Sequence, residues 1–259
     1  TSTSNRCMIG GMVGNNSSGT TSIQYGVTRE KVVSLKTVLS DGSEAEFSGI
    51  SSSDFHGKMN ENTLEGNIYK NIHKELNSKL FLPSSRRERI INLAKKRGTF
   101  SIKDISGEAQ DLSENPIFGD SSADFNLCKL LSGSEGTLAF TTEITIQLDD
   151  IPPKFAAMVV THYKTLEDCL SDVAPVMKHG LHVCEMMDKV ILDCTKNNRA
   201  QLANRFFVEG DPAALLMLEV RADSESVLEK QLSSLLSTIN ASGLSYANPI
   251  LKGTDINKA

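Results

Sequence analysis

The sequence has no apolar run approaching the roughly 20 residues that span a bilayer, and Thr1 to Gly10 lacks both the basic and the apolar stretch of a secretory signal. Neither a membrane span nor secretion is expected. It has no excess of positive charge. Its 27 Lys and Arg stand against 32 Asp and Glu, a formal net charge of -5, which removes the electrostatic footing for nucleic acid or an anionic membrane surface. It also has no clustered cysteines. Cys7, Cys128, Cys169, Cys184 and Cys194 are odd in number and show no CxxC or CxxxC spacing, so a disulfide framework, a zinc site or an iron–sulfur site within the chain lacks its ligands. A reducing, cytoplasmic setting is expected, and the sequons at Asn15, Asn16 and Asn240 are then chance matches. What is present is ordinary: 259 residues, 39% hydrophobic and 23% charged, enough for one large or two modest domains with buried cores. The sequence opens on Thr1 rather than Met and runs at once into dense glycine text, which predicts a piece of a longer protein.

Along the chain, Val32, Val33, Leu35, Thr37 and Leu39 form a β-branched, partly alternating run ending at Asp41-Gly42, with a second short strand over Glu44 to Phe47; this predicts a tight hairpin. Residues 50 to 62, rich in Ser, Asn and Asp, read as an exposed loop. Leu64, Ile68, Ile72 and Leu76 predict an amphipathic helix over Thr63 to Ser78, and a second helix is expected over Ser84 to Arg97. The basic residues of that second helix, Arg86, Arg87, Arg89, Lys95, Lys96 and Arg97, read as a solvated face. Residues 129 to 148 read as helix end, glycine turn and strand, and Asp149-Asp150-Ile151-Pro152-Pro153 as a domain boundary. Beyond it, strands are expected over Phe155 to Tyr163 and Ala213 to Val220. Helices are expected over Leu166 to Lys178, Cys184 to Asn197, Arg199 to Phe207 and about Val227 to Ile239, with a last apolar stretch over Tyr246 to Leu251. That order predicts an antiparallel or mixed sheet with helices on one face.

The opening segment concentrates Gly10, Gly11, Gly14, Gly19 and Gly26 with Asn15, Asn16, Ser17 and Ser18. Such text lets backbone N–H groups approach a phosphate, but Gly, Asn and Ser are also what surface turns are made of, so an anion-binding loop and a tight surface loop both stand. Gly14 and Gly19 have Walker spacing, yet Thr20 stands where the phosphate-binding Lys belongs, which rejects a P-loop. The Rossmann fingerprint fails as well: its middle glycine is missing, and no helix is expected after Gly19. The five histidines, His179 and His182 at i, i+3 included, lack metal-ligand spacing and read as surface or packing residues.

Taken with the downstream run Gly133-Ser134-Glu135-Gly136-Thr137-Leu138, the opening text (Gly10-Gly11-Met12, Asn15 to Gly19, Tyr25-Gly26, then Asp41-Gly42) resembles the FAD-binding domain of the vanillyl-alcohol oxidase / p-cresol methylhydroxylase type. It is similar in particular to the branch that oxidises D-2-hydroxy acids: the glycolate oxidase FAD subunit, D-lactate dehydrogenases and D-2-hydroxyglutarate dehydrogenases. GLHVCEMMDKVIL resembles a helix of that family's C-terminal cap domain. Three departures from the family text are Asn-Ser-Ser-Gly for Asn-Ala-Gly-Gly, Ala139-Phe140 for Gly-Ile, and a longer insertion over residues 48 to 123.

The resemblance implies an α+β fold: the second half of the FAD-binding domain over residues 1–150, with a helical insertion at about 50–123, then part of an α+β cap domain over 154–259. It implies FAD, held non-covalently by Gly10, Gly11, Asn15, Ser17, Ser18, Gly19, Tyr25, Gly26, Glu135, Gly136 and Ile144. For Glu135 an alternative stays open, that the carboxylate only orders its own loop. The implied reaction oxidises a small D-2-hydroxy acid to the 2-oxo acid by hydride transfer to flavin N5, with electrons passed to an acceptor such as an iron–sulfur module of the full-length protein. The family's other glycine-rich pyrophosphate loop and its H-x-G-x-G-N-x-H metal motif are not in this text. The chain itself is therefore expected to be catalytically silent, to hold FAD weakly or not at all, and to contain no catalytic or metal residue. Two competing readings are a non-catalytic binding or scaffold module that keeps the flavin-domain shape, and an oxidase for a different alcohol substrate on the same scaffold.

Overall fold

A computed structural model describes residues 1–77, 125–196, 198–256 and 258. The expected helix over Ser84 to Arg97 and most of the insertion lie outside the described residues. The chain divides into two units, each with its own sheet. One comprises Asn5–Ser17 and Thr28–Leu148, the other Thr1–Ser4, Ser18–Val27 and Asp149–Ala259. Three short helices open the chain: α1 (Ile9–Asn15) and α3 (Thr28–Lys31) in the first unit, and α2 (Ser22–Tyr25) in the second. A one-turn helix thus does follow Gly19, against the expectation, because Gly19 N–H is met by the Ser22 hydroxyl at 2.9 Å and Gly26 ends the turn.

The first unit is built on strands β1 (Val32–Val38), β2 (Glu44–Ile50), β3 (Phe125–Asn126) and β4 (Phe140–Ile146), antiparallel in the order β3-β2-β1-β4. The hairpin forms where expected. Leu35 faces Phe47 in register, Gly42 takes φ 83°, and the Asp41 carboxylate accepts from Ser43 N–H at 2.9 Å. Leu35 and Phe47, 0% and 2% exposed, turn the buried face of this sheet toward α5 (Leu64–Asn77), whose Ile68 and Ile72 pack on that core.

Residues 50 to 62 are not a loop: α4 (Ser52–Met59) forms there. Its Ser51 cap accepts from Asp54 N–H, and Phe55 is buried with its ring centroid 4.5 Å from Phe125 and 5.3 Å from Tyr69. One buried aromatic and one good cap hold a polar helix that shows no apolar period. After β3 comes α6 (Cys128–Leu131), whose Cys128 thiol, buried and with its pKa pushed up to about 11 by desolvation, donates to Phe47 C=O.

The second unit runs β5 (Phe155–Tyr163), α7 (Leu166–Val176), β6 (Val183–Asp188), α8 (Lys189–Lys196), α9 (Arg199–Leu202), β7 (Ala214–Ala222), α10 (Glu225–Ser242) and β8 (Ile250–Lys252). Its sheet is antiparallel in the order β6-β7-β5-β8. Thr165 and Ser224 cap α7 and α10, and Gly243 closes α10 at φ 64°. Two expectations change here. Residues 183–188 form a strand rather than helical text, since pairing of Cys184 with Leu218 and Met186 with Leu216 overrides the helical preference of Glu and Met. And the sheet is covered on both faces. Ala157, Val159, Leu216 and Leu218 lie under α7 and α10, while Met158, Val160, Leu215 and Met217 pack on the other side with Leu192, Phe207 and Leu251. That double burial is why β5 and β7 read as continuous apolar runs. The buried Asp172 carboxylate accepts from Tyr163 Oη at 2.9 Å and from Ser242 Oγ at 3.1 Å, joining β5, α7 and α10. Among the described residues no helix is long and apolar enough to cross a membrane.

Candidate functional site

The first glycines of the opening segment lie on a helix rather than in a loop. Met8 C=O accepts from Met12 N–H at 2.9 Å to start α1, and buried Val13 anchors it. Asn16, left-handed at φ 48°, closes it by donating its N–H to the carbonyls of Met12 and Val13. Each glycine in a helix interior costs about 1 kcal/mol relative to Ala, so a seven-residue helix with three of them is poorly made on propensity alone. Nothing among the described residues demands the first two. A Cβ built on Gly10 or Gly11 meets nothing within 4 Å, and both residues are exposed. Gly14 is in ordinary contact, 3.9 Å from Glu135 Cα.

Beside this helix lies the second motif. Gly133 N–H donates to Val13 C=O and Glu135 N–H to Gly14 C=O, each at 2.9 Å. The turn is made by positive φ at Gly133 (93°), Glu135 (54°) and Gly136 (74°), of which Glu135 is the strained one because it carries a side chain. The main chain of Glu135 orders the loop, and its carboxylate stays exposed. Asn15 donates from Nδ2 to Ser17 Oγ at 3.2 Å, and Ser17 N–H returns to Met12 C=O at 2.9 Å. The first unit thus brings Gly10, Gly11, Asn15, Ser17, Glu135 and Gly136 into one neighbourhood. Ile144, on edge strand β4, packs its side chain on the core opposite Leu35.

The remaining candidates, Ser18, Gly19, Tyr25 and Gly26, sit in the second unit. Ser2 N–H donates to Ser18 C=O at 3.3 Å, and a Cβ on Gly19 would fall 2.7 Å from Ser2 N, so only glycine fits there. Gly26 holds φ 76° and ψ -167°, a conformation essentially confined to glycine. Tyr25 stands edge-on to His182 at 5.4 Å and 82°. His182 is 6% exposed, and that burial lowers its pKa, with Glu219 opposing the shift and Arg221 adding to it. His182 therefore acts as a neutral packing partner for Tyr25. Among the described residues no three His, Cys, Asp or Glu side chains cluster as a metal site. Sequence reasoning passed over Arg29, whose main chain donates to Asn16 Oδ1 at 2.8 Å and whose Nη2 donates to Ser132 C=O at 2.9 Å.

Comparison with known proteins gives this geometry a context. Residues 1–48 match the FAD binding domain family model, and residues 152–247 match the model of FAD linked oxidases, C-terminal domain. D-2-hydroxyglutarate dehydrogenase of Haemophilus influenzae is 26% identical over 241 residues, covering 90% of this chain and 22% of that protein. D-lactate dehydrogenase of Anaerostipes hadrus is 31% identical over 111 residues, 42% of this chain and 23% of that protein. A solved alkyldihydroxyacetonephosphate synthase superposes with a TM-score of 0.48 at 13% identity, over 96% of this chain and 35% of that one. The chain spans less than a quarter of the length of these curated relatives. FAD is the cofactor that the two family models indicate, and the chain is similar to an FAD binding domain over residues 1–48 and to the C-terminal domain of FAD linked oxidases over residues 152–247.

Proposed function

We propose that this chain is part of an FAD-dependent oxidoreductase that oxidises a small D-2-hydroxy acid to the 2-oxo acid. The observation that carries the cofactor reading is the bare face of α1. Gly10 and Gly11 weaken their own helix and meet no neighbour among the described residues, which is understandable where a ligand must approach the main chain more closely than a Cβ allows. The substrate class rests on relatives named for D-2-hydroxyglutarate and D-lactate, which share the 2-hydroxy acid group.

When bound, FAD would supply the hydride acceptor, flavin N5, for the hydrogen on the substrate's α-carbon, while the hydroxyl proton would leave to solvent or to a base elsewhere in the whole protein. The residues of the chain bind and orient. In the first unit, Gly10 and Gly11 offer main chain without side-chain cover, Asn15 and Ser17 offer polar groups, and the Glu135-Gly136 turn lies against the end of the same helix. Ile144, with its side chain in the core, is left its edge-strand main chain to offer. In the second unit, Ser18, Gly19, Tyr25 and Gly26 form a stretch fixed by the two obligate glycines and by the Tyr25 ring on His182. No residue of the chain is assigned a proton-transfer role. The electrons pass to an acceptor such as an iron–sulfur module of the full-length protein.

The test is the visible spectrum of the protein expressed from the whole reading frame that contains this sequence, supplied with FAD and titrated anaerobically with D-2-hydroxyglutarate and D-lactate. Flavin bands that bleach with either acid support the reading. Bands that persist with every D-2-hydroxy acid keep the flavin and overturn the substrate class. No bands after FAD is supplied overturn the oxidoreductase and leave a binding module.

A further inference from the structure

Arg29 lies between the two glycine-bearing segments of the first unit and bonds to both. On one side, Thr28 donates to Ser17 C=O from its hydroxyl at 2.7 Å and its N–H at 3.1 Å, and Arg29 N–H donates to Asn16 Oδ1 at 2.8 Å. These bonds grip the left-handed residue that ends α1 and the residue after it. On the other side, Arg29 Nη2 donates at 2.9 Å to the carbonyl of fully buried Ser132, where the second turn begins. Gly133 records how tight the fit is: a Cβ there would stand 3.2 Å from Arg29 Nη2 and 3.3 Å from Asn16 Cβ. The guanidinium, the end of α1 and the start of the turn therefore share a tight space, in which one more carbon would push its neighbours back by a few tenths of an ångström.

The choice of arginine is poor for stability alone. Arg29 Nε is buried without a hydrogen-bond partner among the described residues, and a buried donor left unmet works against folding. A side chain with a single terminal donor would reach Ser132 C=O without burying that N–H. What the planar guanidinium adds is rigidity and fixed reach.

We infer that Arg29 is a positioning residue. It sets the spacing between the end of α1 and the Ser132–Gly136 turn, and so the shape of the bare-glycine face offered to the cofactor, a role that rests on the FAD reading above. It is not placed in contact with the cofactor. Its effect passes through Asn16, Ser132 and Gly133.

The test compares the protein expressed from the whole reading frame that contains this sequence with its Arg29→Met and Arg29→Lys variants, by hydrogen exchange without FAD and by titration with FAD. In Arg29→Met, exchange at Ser17, Gly133 and Glu135, whose N–H groups are tied to Met12, Val13 and Gly14, rises together by about tenfold, while β1 and β2 keep their protection. Affinity for FAD falls by about tenfold in the same variant, because a binding face that must be reordered on binding loses the benefit of preorganisation. Arg29→Lys, which keeps a terminal donor but not the planar guanidinium's fixed reach, recovers only part of both effects. If β1 and β2 loosen along with the two segments, Arg29 is a general stabiliser and the inference fails. It fails equally if neither segment changes, or if both loosen and FAD affinity stays the same. A wild-type protein from the whole reading frame that takes up no FAD overturns the functional reading instead, and the exchange pattern then decides the spacing role unaided.

Discussion

At Gly26 the backbone sits at φ 76° and ψ -167°, and at Gly10 it is ordinary helix open to solvent; the two glycines therefore respond oppositely to a methyl group. Gly26→Ala forces a side chain into a glycine-only conformation and is expected to lower stability by about 1–3 kcal/mol. Gly10→Ala and Gly11→Ala remove a helix penalty and are expected to raise the stability of the ligand-free chain by up to about 1 kcal/mol each while weakening FAD binding. Urea unfolding beside FAD titration checks both, and stabilised alanine variants that bind FAD as well as wild type would remove the main support for the cofactor face. Histidine adds a pH dependence. His162 is fully buried, with Nδ1 on Val160 C=O at 3.0 Å and Nε2 accepting from Glu209 N–H at 3.1 Å, which requires the neutral ring. Burial drives its pKa below the ordinary 6.5, against the opposing pull of backbone carbonyls and the Glu209 carboxylate; His182 shifts the same way. The unfolded chain thus takes up these protons first as pH falls below 6.5, so their stabilisation is complete above that pH and drains away toward the folded pKa values. Thermal unfolding should fall from pH 7 to pH 5 with a slope that His162→Gln reduces. The exposed carboxylates of Asp193 and of Asp211, the latter lowered to about 2 by Lys189 and Lys196, titrate below that window.

Whole elements were legible wherever local chemistry and tertiary packing agreed. The Asp41-Gly42 hairpin and the apolar spacing of α5 and α10 speak locally, and both appear. α4 was not legible, because its support is remote: Phe55 is its one fully buried side chain among those described, and the Phe125 ring it meets lies far along the sequence. Phe55→Ala is therefore expected to cost about 3–5 kcal/mol, and Ser51→Ala about 1 kcal/mol, measured as changes in denaturation midpoint. Equal and small costs would mean that α4 is held by its cap alone. β6 was missed for the complementary reason. Val183–Asp188 has a helical composition, and only the neighbouring strand β7 makes it extended. The same limit governed the candidate site. Glycines marked the two segments, but their text showed neither that α1 is helical nor that Arg29 bonds to both, since Asn16, Arg29 and Ser132 meet only in three dimensions.

For the molecule as a whole, the cores are the units of cooperativity. Every residue of the core around Leu35 and Phe47 comes from residues 13 to 146, and every residue of the two cores flanking β5 and β7 comes from residues 155 to 256. Among the described residues, the first set lies in the unit built on β1–β4 and the other in the unit built on β5–β8. Leu235, fully buried in α10 against the β5–β7 face, is the cleanest place to open a cavity. Leu235→Ala should cost about 2–5 kcal/mol. The loss should appear as faster amide exchange throughout β5, β7 and α10, with the protection of Leu35 and Phe47 in β1 and β2 unchanged. Equal loss in both sheets would mean that the chain unfolds as one cooperative body. Confinement to the second sheet would show that each sheet with its helices is a folding unit in its own right, and that segment 18–27, with its two obligate glycines and Tyr25, takes its order from the oxidase-type unit on which His182 stands.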